Sequence, residues 1–165
     1  MSLPTKAGTA ETDPGEVPFR FDEIFYSRTD GRGVIQAGNA VFKRVCGHPW
    51  SGLIGAPHRI IRNSDTPRAV FWLLWATIKQ GQPLGAYVKN VSHDGRWYWV
   101  FATVLPTQDG YLSVRVKPTS PLFATVKQEY ELLAAREKAE DLSPEQSAEV
   151  FLGRLAKLGY ADYPA

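Results

Sequence analysis

The sequence predicts an α+β fold: a five-stranded antiparallel sheet with helices on one face, followed by amphipathic C-terminal helices. Three observations carry this expectation. Two strand-like segments, around Phe21 to Arg28 and Val34 to Ala37, flank the turn Asp30-Gly31-Arg32-Gly33 and make a hairpin. An apolar helical segment lies between Pro67 and Gly81. Three further strands follow, joined by His93-Asp94-Gly95-Arg96 and Gln108-Asp109-Gly110, which makes an antiparallel meander.

Taken in order, residues 1–18 are rich in Thr, Pro, Gly and Ala and read as a flexible N-terminal tail. After the hairpin, Asn39 can cap a short helix through Ala40, Val41, Phe42 and Val45, which Gly47 stops. The central helix has Asp65 or Thr66 as a possible N-cap and Pro67 at its first position, where an amide needs no partner. Val70, Phe71, Leu74, Trp75 and Ile78 give it an apolar face, and Gly81 and Pro83 end it. In the middle meander strand, Trp97, Trp99, Phe101, Thr103 and Leu105 share one face. Tyr98, Val100, Ala102 and Val104 share the other. Both faces are apolar, so both are expected to be covered, one by the helices around a pocket and the other by C-terminal helices or a second subunit. Pro121 opens a helix with the stripe Phe123, Val126, Tyr130 and Leu133, fading at Arg136-Glu137-Lys138. Ser143-Pro144-Glu145-Gln146 is a capping box before a second amphipathic helix carrying Ala148, Phe151, Leu152, Leu155 and Leu158. The expected organisation is a tail over 1–18, a sensor domain over 19–118 and a helical extension over 119–165.

Composition narrows the function classes. An apolar content of 44% and an aromatic content of 12% in 165 residues support a globular chain with a real core. The net charge of +2 makes no nucleic-acid stripe. No apolar run reaches bilayer length, and one cysteine excludes an internal disulfide, so a cytoplasmic setting is expected. No nucleophile elbow, phosphate-cradling Gly-Lys motif or His-Glu metalloprotease spacing is present, so the chain is expected not to be an enzyme.

A set of spaced residues then carries a family resemblance: Asn39, Gly55-Ala56-Pro57-His58, Arg62, Asp65-Thr66-Pro67, Phe71, Trp75, Gly81-Gln82-Pro83, Val88-Lys89-Asn90 and Tyr98-Trp99-Val100. From about Phe21 to Lys117 the chain resembles the sensory PAS domain of bacterial aerotaxis receptors, and more distantly that of the nitrogen-fixation regulator NifL. The resemblance implies a PAS fold, non-covalently held FAD and redox or oxygen sensing that is passed on through protein contacts. Applied residue by residue, it gives the candidate cofactor-binding set Asn39, Arg62, Asn63, Asp65, Phe71, Leu84, Asn90 and Trp99. The family usually has His at Asn63 and Trp-Ser-Gly at Leu84-Gly85-Ala86.

Residue chemistry supports part of this set. An inward Asn90 amide offers a donor and an acceptor to a flavin's pyrimidine edge, with an exposed turn amide as the alternative. Arg62 can engage two oxygens through its planar donors, or pair with Asp65. Phe71, Trp75 and Trp99 serve equally as core. A light-sensing flavin domain is disfavoured, because no cysteine stands in Arg62-Asn63-Ser64-Asp65. Haem remains an alternative ligand, with His48, His58 and His93 as candidate axial groups that also read as polar turn histidines. The remaining alternative is a cofactor-free interaction and dimerisation module. The expected partners are a second copy of the chain and a downstream signalling protein.

Overall fold

The computed structural model describes residues 15–159. Its elements are β1 (Phe25–Asp30), β2 (Ile35–Gly38), α1 (Ala40–Cys46), α2 (Trp50–Leu53), a 3-10 turn (His58–Ile61), α3 (Arg68–Ile78), β3 (Leu84–Val91), β4 (Trp97–Thr107), β5 (Gly110–Val116), α4 (Leu122–Glu140) and α5 (Pro144–Lys157). The five strands form one antiparallel sheet in the order β2-β1-β5-β4-β3. The expected hairpin and meander are therefore both present. They are joined by β1 against β5, with Phe25 opposite Arg115.

Alternation along the strands sorts the two faces. Leu84, Ala86, Val88 and Asn90 of β3 and Tyr98, Val100, Ala102 and Val104 of β4 are buried toward the helical crossover. The other face carries Tyr87, Trp99 and Phe101. It is covered within the chain: Phe123 of α4 stacks on Tyr87 and meets Trp99 edge-on, and Tyr130 tilts against Trp99 and packs on Phe151 of α5. This is the expected second cover, and the helices of the same chain supply it. The apolar middle strand accordingly gives no ground for a second subunit.

Three local expectations are corrected. The first concerns the tail: residues 1–14 lie outside the described residues, but 15–19 are docked. The Val17 amide donates to the Trp97 carbonyl and the Trp97 amide to the Gly15 carbonyl, while Val17 and Phe19 are buried. Two apolar side chains and an extra β-pairing outweigh the polar composition there. The second concerns α4, which does not fade at Arg136 but runs to Glu140, because Glu137 is itself buried and bonded. The third concerns the α3 cap. Neither Asp65 nor Thr66 provides it. Glu137 reaches across from α4, its carboxylate accepting from the amides of Arg68 (3.1 Å) and Ala69 (3.2 Å) and from the Ser147 hydroxyl of α5. A carboxylate suits the free amides and positive end of a helix dipole. Thr66 instead clamps β3, accepting from the Lys89 amide (2.9 Å) and donating to the Lys89 carbonyl (3.1 Å). The capping box at Ser143 and Gln146 forms as expected.

Candidate functional site

A cavity of about 100 Å3 lies between α3, the 3-10 turn and the inner face of the sheet. Its walls are set by periodicity. On α3, Phe71, Leu74, Trp75 and Ile78 face inward at three- and four-residue steps, while Ala69 and Leu73 are buried on another side of the helix, which packs on α5. From the sheet come Val88, Ala102 and Val104, with polar Ser27, Thr29, Asn90, Ser113 and Arg115. Gly33 is required where it stands. At φ +82 it turns the β1–β2 hairpin, and a Cβ there would lie 3.2 Å from the Trp75 indole.

The structure brings Arg62, Phe71 and Asn90 of the candidate set to this cavity. Arg62 and Asn90 are paired through their backbones. Arg62 does not pair with Asp65. Its guanidinium lies 3.7 Å from the centre of the Phe71 ring, and Asp65 bonds Lys89 Nζ at 2.7 Å. A planar cation stacked on an aromatic face is stabilised by the ring quadrupole. Arg62, Phe71 and Trp75 also line a wider outer groove of about 1400 Å3, so the Arg62–Phe71 stack partitions groove from cavity. Asn63 and Asp65 belong to that groove, where the Asn63 side chain accepts from the Asp65 amide.

The other three candidates lie elsewhere. Asn39 caps α1 and ties it to β1: its Oδ1 accepts from the Phe42 and Tyr26 amides and its Nδ2 donates to the Ile24 carbonyl. That leaves the amide committed to the backbone. Leu84 stands behind the wall, in a small cluster with Ile78 and Val104. Trp99 is on the opposite face against α4, because strand parity sends it away from Tyr98 and Val100.

The polar end of the cavity holds residues that the sequence reading passed over or ranked low. His58, taken as a turn histidine, lines the cavity beside Phe42, and its Nε2 sits within bonding distance of Ser27 Oγ (2.9 Å). Arg115 Nη2 donates to that same Nε2 and to Ser27 Oγ (3.0 Å). Because a guanidinium only donates, Nε2 accepts and the imidazole is neutral with its proton on Nδ1. Burial, with the Arg115 and Arg62 charges beside it, pushes the His58 pKa well below its ordinary value. With Nε2 so engaged, His58 makes a poor axial haem ligand. His48 and His93 pair with each other away from the cavity, 4.6 Å between ring centres. Arg115 is 2% exposed, and burial lowers its pKa to about 10. The one trace of this end in the sequence is that Ser113 and Arg115 stand in phase on an otherwise apolar strand, a pattern that by itself reads as a solvated face.

No family model matches the sequence. The aerotaxis receptor of Escherichia coli (strain K12) is 35% identical over 123 residues, covering 72% of this chain and 24% of the receptor. The nitrogen fixation regulatory protein of Klebsiella pneumoniae is 32% identical over 83 residues, covering 50% of this chain and 17% of the regulator. Biofilm dispersion protein BdlA of Pseudomonas aeruginosa is 28% identical over 106 residues, 62% of this chain and 25% of that protein. The chain thus spans about a quarter or less of these relatives. Among solved structures, a PAS domain from Colwellia psychrerythraea superposes with a TM-score of 0.52 at 17% identity, over 58% of this chain and 86% of that one. The LOV domain of the blue-light photoreceptor Aureochrome1 gives 0.53 at 22%, over 62% and 87%. Those identities speak for the fold alone. The chain is a PAS domain with C-terminal helices, resembling a segment of the aerotaxis receptor and, more distantly, of the nitrogen fixation regulatory protein.

Proposed function

We propose that this PAS module is a sensor that holds FAD, with the flavin ring in the α3–sheet cavity, and reports redox state through protein contacts. The observation that carries the reading is the sorting of the cavity itself. Apolar side chains form its walls, and Asn90, His58, Ser113 and Arg115 gather at the sheet. A flavin ring needs apolar faces and polar partners along one edge, so this donor set fits. The volume fits only with the Arg62–Phe71 partition displaced, since about 100 Å3 is below the roughly 300–1,000 Å3 of ordinary ligand sites. With Arg62 swung outward, cavity and groove join, and Arg32, Arg68, Lys79 and Lys138 along the groove favour phosphates.

Bound flavin would supply the electron-accepting chemistry. The residues of this chain bind it, orient it and pass on its state. Asn90 offers both a donor and an acceptor, so its amide can follow a change of protonation at the ring edge. Its strand is connected outward: the Tyr87 carbonyl of β3 accepts from the Tyr130 hydroxyl of α4 at 2.9 Å. A shift of β3 therefore reaches the helix that covers the outer face, where a signalling partner or a second copy of the chain would read it.

The small enclosed volume favours one second reading, a cofactor-free interaction module. The absorbance spectrum of gently purified full chain separates the two. Bands near ~450 nm, with FAD released on denaturation, support the flavin sensor. Colourless protein that takes up no added FAD refutes it and leaves the interaction module.

A further inference from the structure

The inner end of the cavity contains an unbalanced charge. Arg115 is buried, no carboxylate pairs with it among the described residues, and its Nη1 has no hydrogen-bond partner there. Its polar contacts are neutral: Ser27 Oγ and His58 Nε2, both taken by Nη2. The Phe42 and Phe25 rings lie 5.3 and 5.9 Å from its central carbon and soften the charge without neutralising it. The other titratable groups nearby, Cys46 and Tyr98, are both held protonated by burial. A buried cation without a counter-charge is costly, and proteins keep one where something else completes it.

We propose that Arg115 selects the ligand by charge. Its unpartnered Nη1 receives the acceptor edge of a planar heterocycle that carries, or takes on, negative charge, and the ligand supplies the anion the protein lacks. The inference rests on the cavity being the ligand site, and it names the chemical class that the site prefers. The geometry argues against a purely structural role for the guanidinium. Ser27 Oγ and His58 Nε2 already lie 2.9 Å apart and can bond each other, so they stay satisfied if Arg115 is removed. What Arg115 adds at the cavity lining is a second nitrogen, Nη1, buried and without a partner.

The consequence is an opposition between stability and binding. Arg115→Met removes an uncompensated buried charge and keeps side-chain bulk. Melting of the full chain without ligand should then occur at or above the wild-type temperature. FAD, titrated by flavin fluorescence, should bind Arg115→Met about tenfold or more weakly, because a charge-assisted hydrogen bond is lost. Arg115→Lys, which keeps the charge, should lie between. A probe independent of flavin is acetate compared with acetamide at matched ionic strength. Acetate should raise the melting temperature of wild type more than acetamide does, and the difference should vanish in Arg115→Met. If Arg115→Met melts well below wild type and binds FAD as tightly, Arg115 is structural and the proposal is overturned. Equal effects of acetate and acetamide on wild type also overturn it. If wild type binds no FAD but keeps an Arg115-dependent acetate effect, the flavin reading fails while the anion-accepting end stands.

Discussion

His58 is neutral in the folded chain because its lone pair accepts from Arg115 and its surroundings disfavour a second proton. In the unfolded chain it titrates near 6.5. Its folded pKa is depressed, so the unfolded state binds more protons in the window below 6.5. The stability His58 confers is full above that value and falls as pH drops through it, by up to about 1.4 kcal/mol per pH unit. Urea unfolding at pH 7 and pH 5 should show a smaller loss in His58→Gln, which keeps a neutral acceptor, than in wild type. Equal losses would mean that the imidazole is protonated when folded. Arg62→Ala should lower flavin occupancy more than Arg59→Ala, since only Arg62 stacks on Phe71 at the partition. Equal occupancy in the two variants would remove Arg62 from the site. Arg62, Phe71 and Asn90 were legible as cavity residues because motif spacing and helix or strand phase point the same way. Arg115 was not, because a lone arginine in a short strand reads as a solvated side chain. The pairing on either side, with Phe25 of β1 and buried Ala102 of β4 opposite Arg115, shows that its face is interior.

At the scale of elements, α3 is clamped on two sides. One side lines the cavity, while Ala69 and Leu73 are buried where the helix packs on α5. Its first amides are capped by Glu137, which Ser147 of α5 also contacts, so three helices meet at one carboxylate. Glu137→Ala would leave two backbone N–H groups and a hydroxyl without an acceptor. We expect a loss of about 2–3 kcal/mol, seen as a lower denaturant midpoint with an unchanged slope. A change under 0.5 kcal/mol would show that water replaces the carboxylate. The sequence placed α3 and its Gly81 stop from local signals, yet located the cap in the wrong segment. Asp65 and Thr66 stand where caps usually stand, and nothing local marks a glutamate 69 positions downstream of Arg68 as the acceptor.

For the whole molecule, the helices after Pro121 are part of the domain's packing. Phe123 and Tyr130, the latter backed by Phe151, cover Tyr87 and Trp99, and Glu137 reaches α3. A chain ending at Lys117 would expose that aromatic face and uncap α3. Light scattering should find it self-associating at micromolar concentrations at which the full chain does not gain mass. A monodisperse, fully folded short chain would show that the outer face tolerates water. The two-sided apolar pattern of β4 had already demanded a second cover. It could not say whether that cover came from this chain or another, because the identity of a partner surface is not encoded in strand alternation.

The place of β5 between β1 and β4 also fixes an order in time. β1 cannot complete its pairing until the segment around Arg115 exists, since Phe25 lies opposite Arg115 and Asp30 opposite Gly110. During synthesis at about 5–20 residues per second, the first hairpin, complete at Gly38, therefore waits on the order of 4–15 s with an open edge. Such long-range pairing raises the contact order and slows the final docking. The meander, whose strands are neighbours in sequence, can assemble first and act as the template onto which the older N-terminal hairpin closes. The last strand made thus closes the open edge of β1, while the outer aromatic face stays exposed until the helices after Pro121 are made.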